Sequence, residues 1–296
     1  MKKILTIIAV ALVGKMAMAQ DEQKNFRFGL AIDPSVTWFK PDGKIISKNG
    51  AGVRFGGGLI LEFRLAKVAS FQTGFRINSE TGKVKYANGD IQKPSSNVVN
   101  YLYSTADDKI IGYMAPDSVG SNGAFYSSST LNGNGWYQLN SRQYKVTYIT
   151  IPLILKLKTK EIGTLTYFGQ FGLNNSIRWK ATANDDVNAI TQTSGVAIGA
   201  AETKSKVDVT KDVAIFKSAL TFGAGAEMNL SGTTSLTFGL NYNLGFMNSV
   251  KSNSDYLGKR TNDAGYNAAN QTKLTNSPMP QSLKSSAVVL TVGVLF

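Results

Sequence analysis

The sequence contains neither cysteine nor histidine among its 296 residues. Without cysteine, the fold has no disulfide to stabilise it and no thiolate that could bind a metal ion. Without histidine, the chain lacks the side chain that most often serves as a general base or a metal ligand near neutral pH. We therefore expect a protein that is not an enzyme, with no catalytic residue, no cofactor and no metal site.

Long apolar runs are also missing after the first residues of the chain. The most apolar candidate, YITIPLILKL at residues 148–157, contains Pro152 and Lys156, and it is shorter than the roughly 20 residues that a membrane helix needs. Charged residues make up only 17% of the chain and hydrophobic residues 43%, which argues against disorder throughout. A helical membrane protein is excluded, and a β protein remains.

The amino terminus predicts export from the cytoplasm. Lys2 and Lys3 precede a short apolar run and small residues, the pattern of a signal peptide at residues 1–19 that is cleaved after Ala19. Residues 20–296 then form one domain. The formal net charge of +13 favours anionic partners, and for an exported chain we expect outer-membrane lipid and lipopolysaccharide rather than nucleic acid.

Period-2 alternation of apolar residues recurs along the chain and predicts strands with two different faces. Eight segments show it: residues 25–32, 52–65, 70–78, 144–157, 164–174, 220–230, 236–246 and 286–296. In the fourth segment the apolar positions change from even numbers to odd numbers, which we interpret as a bulge beside Pro152.

Short and long links alternate between these strands, and the longest covers residues 79–142. We predict an all-β fold, an eight-stranded antiparallel transmembrane β-barrel with short periplasmic turns and long extracellular loops, in the cell outer membrane. The alternative is a soluble barrel of lipocalin type with its apolar face inside. The second face is rich in Gly, Thr, Asn and Gln and poor in charge, which suits a crowded lumen better than a solvated exterior.

Five charged residues lie on the polar face of the predicted strands and would point into the lumen: Glu62, Arg64, Arg76, Lys156 and Glu227. Buried charges must be paired, because an isolated charge is costly away from water. One interpretation is a proton or ion path. The other is a set of salt bridges that fills the narrow lumen of an eight-stranded barrel.

The link at residues 79–142 interleaves aromatic side chains with Ser, Asn and Gly, a composition typical of recognition surfaces. The predicted surface consists of Tyr101, Tyr103, Tyr113, Phe125, Tyr126, Trp136 and Tyr137. The alternative is a loop that packs on itself above the barrel mouth.

The segment YITIPLILKLKTKEIGTLTYFGQFGL and the closing VVLTVGVLF resemble the PorT-type outer-membrane β-barrel proteins of the Bacteroidetes. The resemblance covers chiefly residues 144–173 and 213–296. It implies an outer-membrane location and, as for the founding members, a role in protein secretion to the cell surface.

Phe296 ends the last predicted strand, and in such barrels a terminal aromatic residue is read as a signal by the barrel assembly machinery. We therefore expect a non-enzymatic outer-membrane protein that acts in interaction or assembly, with a secretion-system or surface protein as its partner. The alternative function is a narrow or gated channel.

Overall fold

A computed structural model describes residues 25–87, 98–113, 133–193, 195–261 and 275–296. The predicted signal peptide at residues 1–19 lies outside these residues. Within them there is no helix long and apolar enough to span a membrane.

The described residues form fifteen strands, all paired in antiparallel fashion. They are β1 (Phe26–Ile32), β2 (Ser35–Pro41), β3 (Ile46–Arg54), β4 (Gly56–Ala66), β5 (Ala69–Tyr86), β6 (Val99–Ser104), β7 (Lys109–Gly112), β8 (Gly135–Lys158), β9 (Leu165–Thr193), β10 (Gly195–Asp208), β11 (Phe216–Ser231), β12 (Thr234–Gly245), β13 (Asn253–Thr261), β14 (Thr275–Pro280) and β15 (Leu283–Leu295).

Eight of these strands pair in a closed ring. Their order is β1, β4, β5, β8, β9, β11, β12 and β15, and the ring closes where residues 29–32 pair with residues 292–295. A closed ring satisfies the backbone hydrogen bonds of every member strand, as lipid surroundings require. The predicted eight-stranded antiparallel transmembrane barrel is confirmed.

Large apolar side chains are exposed on the outside of every strand of this ring. Phe55, between β3 and β4, is 72% exposed, and Leu30 and Leu240 are each about three-fifths exposed. Such a continuous apolar surface would be costly in water, whereas it suits the hydrocarbon layer of a membrane.

Tight turns join the ring strands at the periplasmic end. The links β4–β5, β8–β9 and β11–β12 contain two to six residues between the printed strand ends. Gly163 and Gly232 have φ values of 66° and 57°, in the left-handed region that glycine adopts without a steric penalty. These turns agree with the predicted short links.

The opposite, extracellular end carries an extension made by the ring strands themselves. β8 has 24 residues and β9 has 29, whereas a tilted strand crosses the hydrocarbon layer in about 9 to 11. β2 and β3 continue β1 and β4 upward and pair with β15 and β5. β10 folds back on β9, and β6, β7, β13 and β14 complete the sheet.

This extension corrects the predicted loop boundaries. Residues 79–86 belong to β5 and residues 135–142 belong to β8, and the two strands remain paired as far as Lys85 opposite Ser141. The link between these ring strands is therefore residues 87–134. Pairing continues past the membrane because the polar outward side chains of this part are compatible with a solvated sheet face.

The extension has its own apolar core, the largest in the described part of the chain. Tyr86, Tyr101, Leu139, Tyr144 and Val187 are among its members, and all are at most 1% exposed. The molecule therefore has two tiers. The membrane tier carries its apolar side chains outside, and the extracellular tier carries them inside.

The change from one tier to the other explains why the apolar positions of the fourth predicted strand shift from even to odd numbers. Inward side chains occupy even-numbered positions along β8, from Tyr144 and Tyr148 above to Lys156 below. No register shift occurs at Pro152, which pairs with Asn174, so the predicted bulge there is wrong. Between Tyr144 and Lys158 the side chains of β8 alternate without interruption. The apolar residues move from even to odd positions because the apolar surroundings lie inside the extension and outside the barrel.

An irregularity does occur on the neighbouring strand. Thr147 pairs with Lys180 and the next residue, Tyr148, pairs with Arg178, so Trp179 is the extra residue of a bulge in β9. The bulge lies where the membrane tier meets the extension.

Candidate functional site

A cluster of five charges lies inside the lumen near its periplasmic end. Glu62 on β4 and Glu227 on β11 are 3% and 4% exposed. Arg27 Nη2 lies 2.8 Å from a carboxylate oxygen of each, and Lys158 Nζ lies 2.5 Å and 3.0 Å from the same two groups. Lys156 Nζ is 3.4 Å from Glu62 Oε2 and also pairs with Glu227. We call these five residues the lumen plug.

Strand alternation places the plug residues. Arg27 stands between the outward residues Phe26 and Phe28, directly opposite Glu62 in the β1–β4 pairing. The Lys156 ammonium also lies 3.9 Å from the centre of the Phe168 ring, a cation–π contact that partly replaces lost hydration. The plug contains three cations, and each of them pairs with both carboxylates. Loss of either carboxylate therefore leaves three buried cations beside a single counter-charge.

The structure brings together three of the five residues predicted for the lumen: Glu62, Lys156 and Glu227. Arg64 is not in the plug. Its Nε donates to the carbonyl of Ala66 at 3.4 Å, because it lies beside the turn where the strand leaves the barrel. Arg76 lies higher in the lumen and pairs with Asp33 at 2.8 Å.

Arg27 and Lys158 are plug residues that the sequence prediction missed. The signal was present, since Arg27 alternates with outward phenylalanines and Lys158 follows outward Leu157. Asp33 was missed because it lies just after the predicted strand at residues 25–32, at the point where β1 passes into β2.

Polar side chains fill the middle of the lumen. Arg76 Nη1 donates to Asp33, the Thr291 hydroxyl donates to Asp33 Oδ1 at 2.7 Å, and Asn241 Nδ2 donates to Thr291 at 3.3 Å. Gln170 in turn donates to Asn241. A cavity of about 60 Å³ lies among them, enough for a few water molecules.

A third ionic layer lies above this cavity. Lys217 pairs with Glu80, donates to the Ser285 hydroxyl at 2.8 Å and lies 4.3 Å from the centre of the Tyr148 ring. The apolar core of the extension begins directly above. In the described residues the lumen is therefore occupied by side chains from the plug to the extension.

The aromatic residues of the long link are mostly buried. Tyr101, Tyr103, Trp136 and Tyr137 are between 0% and 7% exposed, so an exposed recognition surface is wrong for these four. The pairing of β6 with β8 turns Tyr101, Tyr103 and Tyr137 into the apolar core of the extension above the barrel mouth. Trp136 lies opposite Leu102 on the other face of this pair, where its Nε1 donates to Asn100 Oδ1 at 3.1 Å. Burial raises the pKa of Tyr101.

The other three residues of the predicted surface are not among these buried side chains. Tyr113 is partly exposed and touches Gly258. Phe125 and Tyr126 lie outside the described residues. Lys204 Nζ is 5.0 Å and 4.6 Å from the ring centres of Tyr103 and Tyr137, so a lysine of β10 covers the aromatic cluster.

Two buried acids stabilise the extension. Asp185 accepts two hydrogen bonds of 2.7 Å from Arg142, and both side chains are fully buried. Asp212 accepts hydrogen bonds from the Ser254 hydroxyl and from the backbone N–H of Asp255 at 2.7 Å. Burial raises the pKa of Asp212. These pairs join β8 to β9 and fix the start of β13.

Phe296 lies at the seam of the ring. Its backbone N–H donates to the carbonyl of Phe28 at 2.8 Å, and the two rings are 5.6 Å apart. The side chain is 40% exposed on the outer surface. The residue thus extends the pairing that closes β15 against β1.

The described residues contain no cluster of three or more acidic side chains arranged to hold a metal ion. The arrangement offers structural ion pairs in the lumen and a folded surface outside the membrane.

A family model for the outer membrane protein beta-barrel domain matches residues 18–251. The chain is similar in structure to Neisserial surface protein A, with 10% identity, TM-score 0.37, and 92% of this chain and 96% of that chain covered. It is also similar to OprG of Pseudomonas aeruginosa, with 10% identity, TM-score 0.36, and 92% of this chain and 94% of that chain covered. A third similar structure is Ail of Yersinia pestis in complex with a heparin analogue, with 10% identity, TM-score 0.31, and 92% of this chain and 99% of that chain covered. No curated protein matches the chain.

Proposed function

Because the chain belongs to the outer membrane protein beta-barrel domain family, we propose that it is a non-enzymatic interaction or assembly protein of the outer membrane. Its barrel anchors the chain in the cell outer membrane. Its extension presents a folded surface to a partner outside the cell.

The observation that carries this proposal is the construction of the extension. Its strands are continuous with those of the barrel, and its core excludes water from residues such as Leu139, Tyr144 and Val187. Ring strands that run this far beyond the membrane, held by the buried Arg142–Asp185 pair, make a pre-organised surface. Pre-organisation lowers the entropy cost of binding a partner.

The filled lumen argues against the alternative function of an open channel. A conducting path needs a continuous water-filled space, whereas the plug, the polar middle layer and the Lys217–Glu80 layer occupy the barrel in turn. Opening such a path would require several buried ion pairs to separate, which is costly.

The finer proposal concerns the partner. The resemblance of residues 144–173 and 213–296 to PorT-type barrels supports a role as an accessory of protein secretion to the cell surface. The partner would then be a secretion-system component or a secreted surface protein. The absence of histidine and cysteine from the sequence supports a function without catalysis.

Site-specific photo-crosslinking on intact cells tests this function. A photoreactive residue at Thr105 or Lys206, both exposed on the extension, should give a discrete product with one protein. The same residue at Lys67 or Lys160, in periplasmic turns, is the control and should not give that product. If the extension positions yield no product beyond that of the controls, the proposed interaction function is wrong.

A further inference from the structure

The exposed apolar side chains on the outside of the barrel form a belt that we call the apolar band. A row of lysines lies along the extracellular rim of this band, on six neighbouring strands. We call it the lysine collar, and in order from β15 to β9 it consists of Lys284, Lys40, Lys48, Lys85, Lys145 and Lys180. All six side chains are at least partly exposed.

The height of the collar follows from successive outward residues on β2. Val36 is exposed in the apolar band, Trp38 comes next on the same face, and Lys40 follows. The Trp38 ring lies 6.3 Å from the ring of Tyr242. Each step of two residues rises about 7 Å along the strand. Apolar, aromatic and basic residues thus occupy the hydrocarbon, interface and headgroup levels in turn.

The same order repeats on β9. Ile177 is exposed in the band, Trp179 at the bulge is 64% exposed, and Lys180 follows. Lys145 on β8 lies diagonally across from Lys180, because Lys180 pairs with Thr147. Two separate parts of the wall therefore place lysines just above a tryptophan that is partly exposed on β2 and exposed on β9.

The collar has more positive charge than its neighbours neutralise. Lys40 lies directly opposite Lys284 in the β2–β15 pairing, and like charges in this position destabilise a sheet. Lys284 forms a 2.9 Å ion pair with Asp42. Lys40 and Lys48 form no ion pair with any described residue, and the Lys48 ammonium lies 5.3 Å from the centre of the Trp38 ring. An external anion at this height would relieve the repulsion.

We propose that the lysine collar binds the phosphate groups of lipopolysaccharide in the outer leaflet. Those phosphates lie at the interface between acyl chains and sugars, the level at which the collar stands. Lysine presents a compact, mobile charge suited to phosphate. The exposed residues Val36 and Trp179 and the partly exposed Trp38 would contact the acyl chains of the same lipid. This inference concerns the barrel wall and is independent of the partner proposed for the extension.

The test uses native mass spectrometry to measure how strongly each of three lipids binds to the folded full chain in detergent. The lipids are lipopolysaccharide, the same lipopolysaccharide after chemical removal of its phosphates, and phosphatidylglycerol. The variant Lys40→Gln/Lys48→Gln removes two collar charges. The control Lys67→Gln/Lys160→Gln removes two exposed charges from the periplasmic turns. Heat-modifiable migration on gels verifies that each protein is folded.

We expect the collar variant to bind lipopolysaccharide at least about tenfold more weakly than the parent, because each lysine near an anionic surface contributes about fivefold. The control should bind as the parent does. The parent should bind dephosphorylated lipopolysaccharide at least as weakly as the collar variant binds the intact lipid, because dephosphorylation removes the partners of all six lysines. Equal binding by collar and control variants, or equal binding of all three lipids by the parent, would overturn the proposal. A second variant, Lys145→Gln/Lys180→Gln, should weaken binding in the same way.

Discussion

Each buried carboxylate of the lumen plug faces three cations, which distinguishes Glu62 and Glu227 from the exposed acids of the chain. Their burial makes them energetically important, since a cation that loses one of its two counter-charges here cannot regain water in exchange. A buried ion pair is weak support for stability as such, and its removal as a pair can be neutral. Removal of only one member of the pair, by contrast, destabilises the fold because the other charge stays buried with less compensation.

We therefore predict that Glu227→Gln lowers the stability of the barrel by about 3 to 5 kcal/mol, because Lys156 and Lys158 lose a counter-charge inside the lumen. Insertion into the membrane should persist, since the outward band is unchanged. The temperature at which heat-modifiable migration is lost measures the effect.

Glu161→Gln is the matched control. Glu161 lies in a periplasmic turn and accepts one exposed hydrogen bond of 2.7 Å from Asn229, so its replacement should leave the transition within experimental error of the parent. An unchanged transition in Glu227→Gln would show that the plug contributes nothing to stability.

Adjacent residues of β9 provide a second comparison. Asp185 is fully buried against Arg142, whereas Asp186 is 44% exposed and pairs with Lys83 at 2.9 Å. Asp185→Ala should lower the free energy of unfolding of the extension by about 3 to 5 kcal/mol. Asp186→Ala should lower it by at most about 1 kcal/mol. Protease resistance of the extension on intact cells reports the difference, and equal resistance would contradict it.

At the scale of the strands, the membrane tier could be predicted from the sequence because lipid imposes one rule on every ring strand. An apolar residue must point outward and a small or polar one inward, so the alternation is strong from β4 to β15. In the extension the outside faces water instead of lipid, so polar residues point outward and apolar residues point inward. The sequence of β8 therefore seemed to change phase at Pro152, although its alternation is unbroken between Arg142 and Lys158.

The predicted lumen charges were partly right for the same reason. Face assignment found Glu62, Lys156 and Glu227, but it could not tell at which height Arg64 and Arg76 would stand. The burial of Tyr101 and Tyr137 depends on the pairing of β6 with β8. That pairing joins segments about 35 residues apart, through contacts that no local pattern specifies.

Strand pairing also predicts where protease can cut. Extracellular protease on intact cells should cleave within residues 87–134, between two long ring strands, and should spare the turns near Lys67, Lys160 and Ser231. Paired backbone resists proteolysis, and the short turns face the periplasm. Mass spectrometry of the fragments locates the cut. Cleavage at the short turns in sealed cells would reverse the topology.

The seam between β15 and β1 leads to a prediction about assembly. Phe296 continues the pairing with Phe28, so its deletion should reduce the amount of folded barrel in the outer membrane while leaving export unchanged. Heat-modifiable migration measures the folded fraction. A Leu230→Ala variant, which removes an exposed side chain of β11 away from the seam, is the control. Full folding after deletion of Phe296 would show that it is not an assembly signal.

The whole molecule combines a barrel with an outward apolar surface and an extension with an inward apolar core. The same eight strands build both, so the extension is anchored to the membrane without a flexible linker. The lumen between the tiers contains three layers of polar and charged side chains and a cavity of about 60 Å³. Function is therefore expected on the outer surfaces of the molecule.

Conductance of the purified, folded protein in a planar lipid bilayer tests most directly the central claim that the lumen is closed. We predict no steady current above that of the bilayer alone, at any polarity, because the plug and the layers above it must separate before ions can pass. A porin measured in the same bilayers provides the positive control. A steady open channel of nanosiemens size in the folded protein would contradict the claim and favour a transport function.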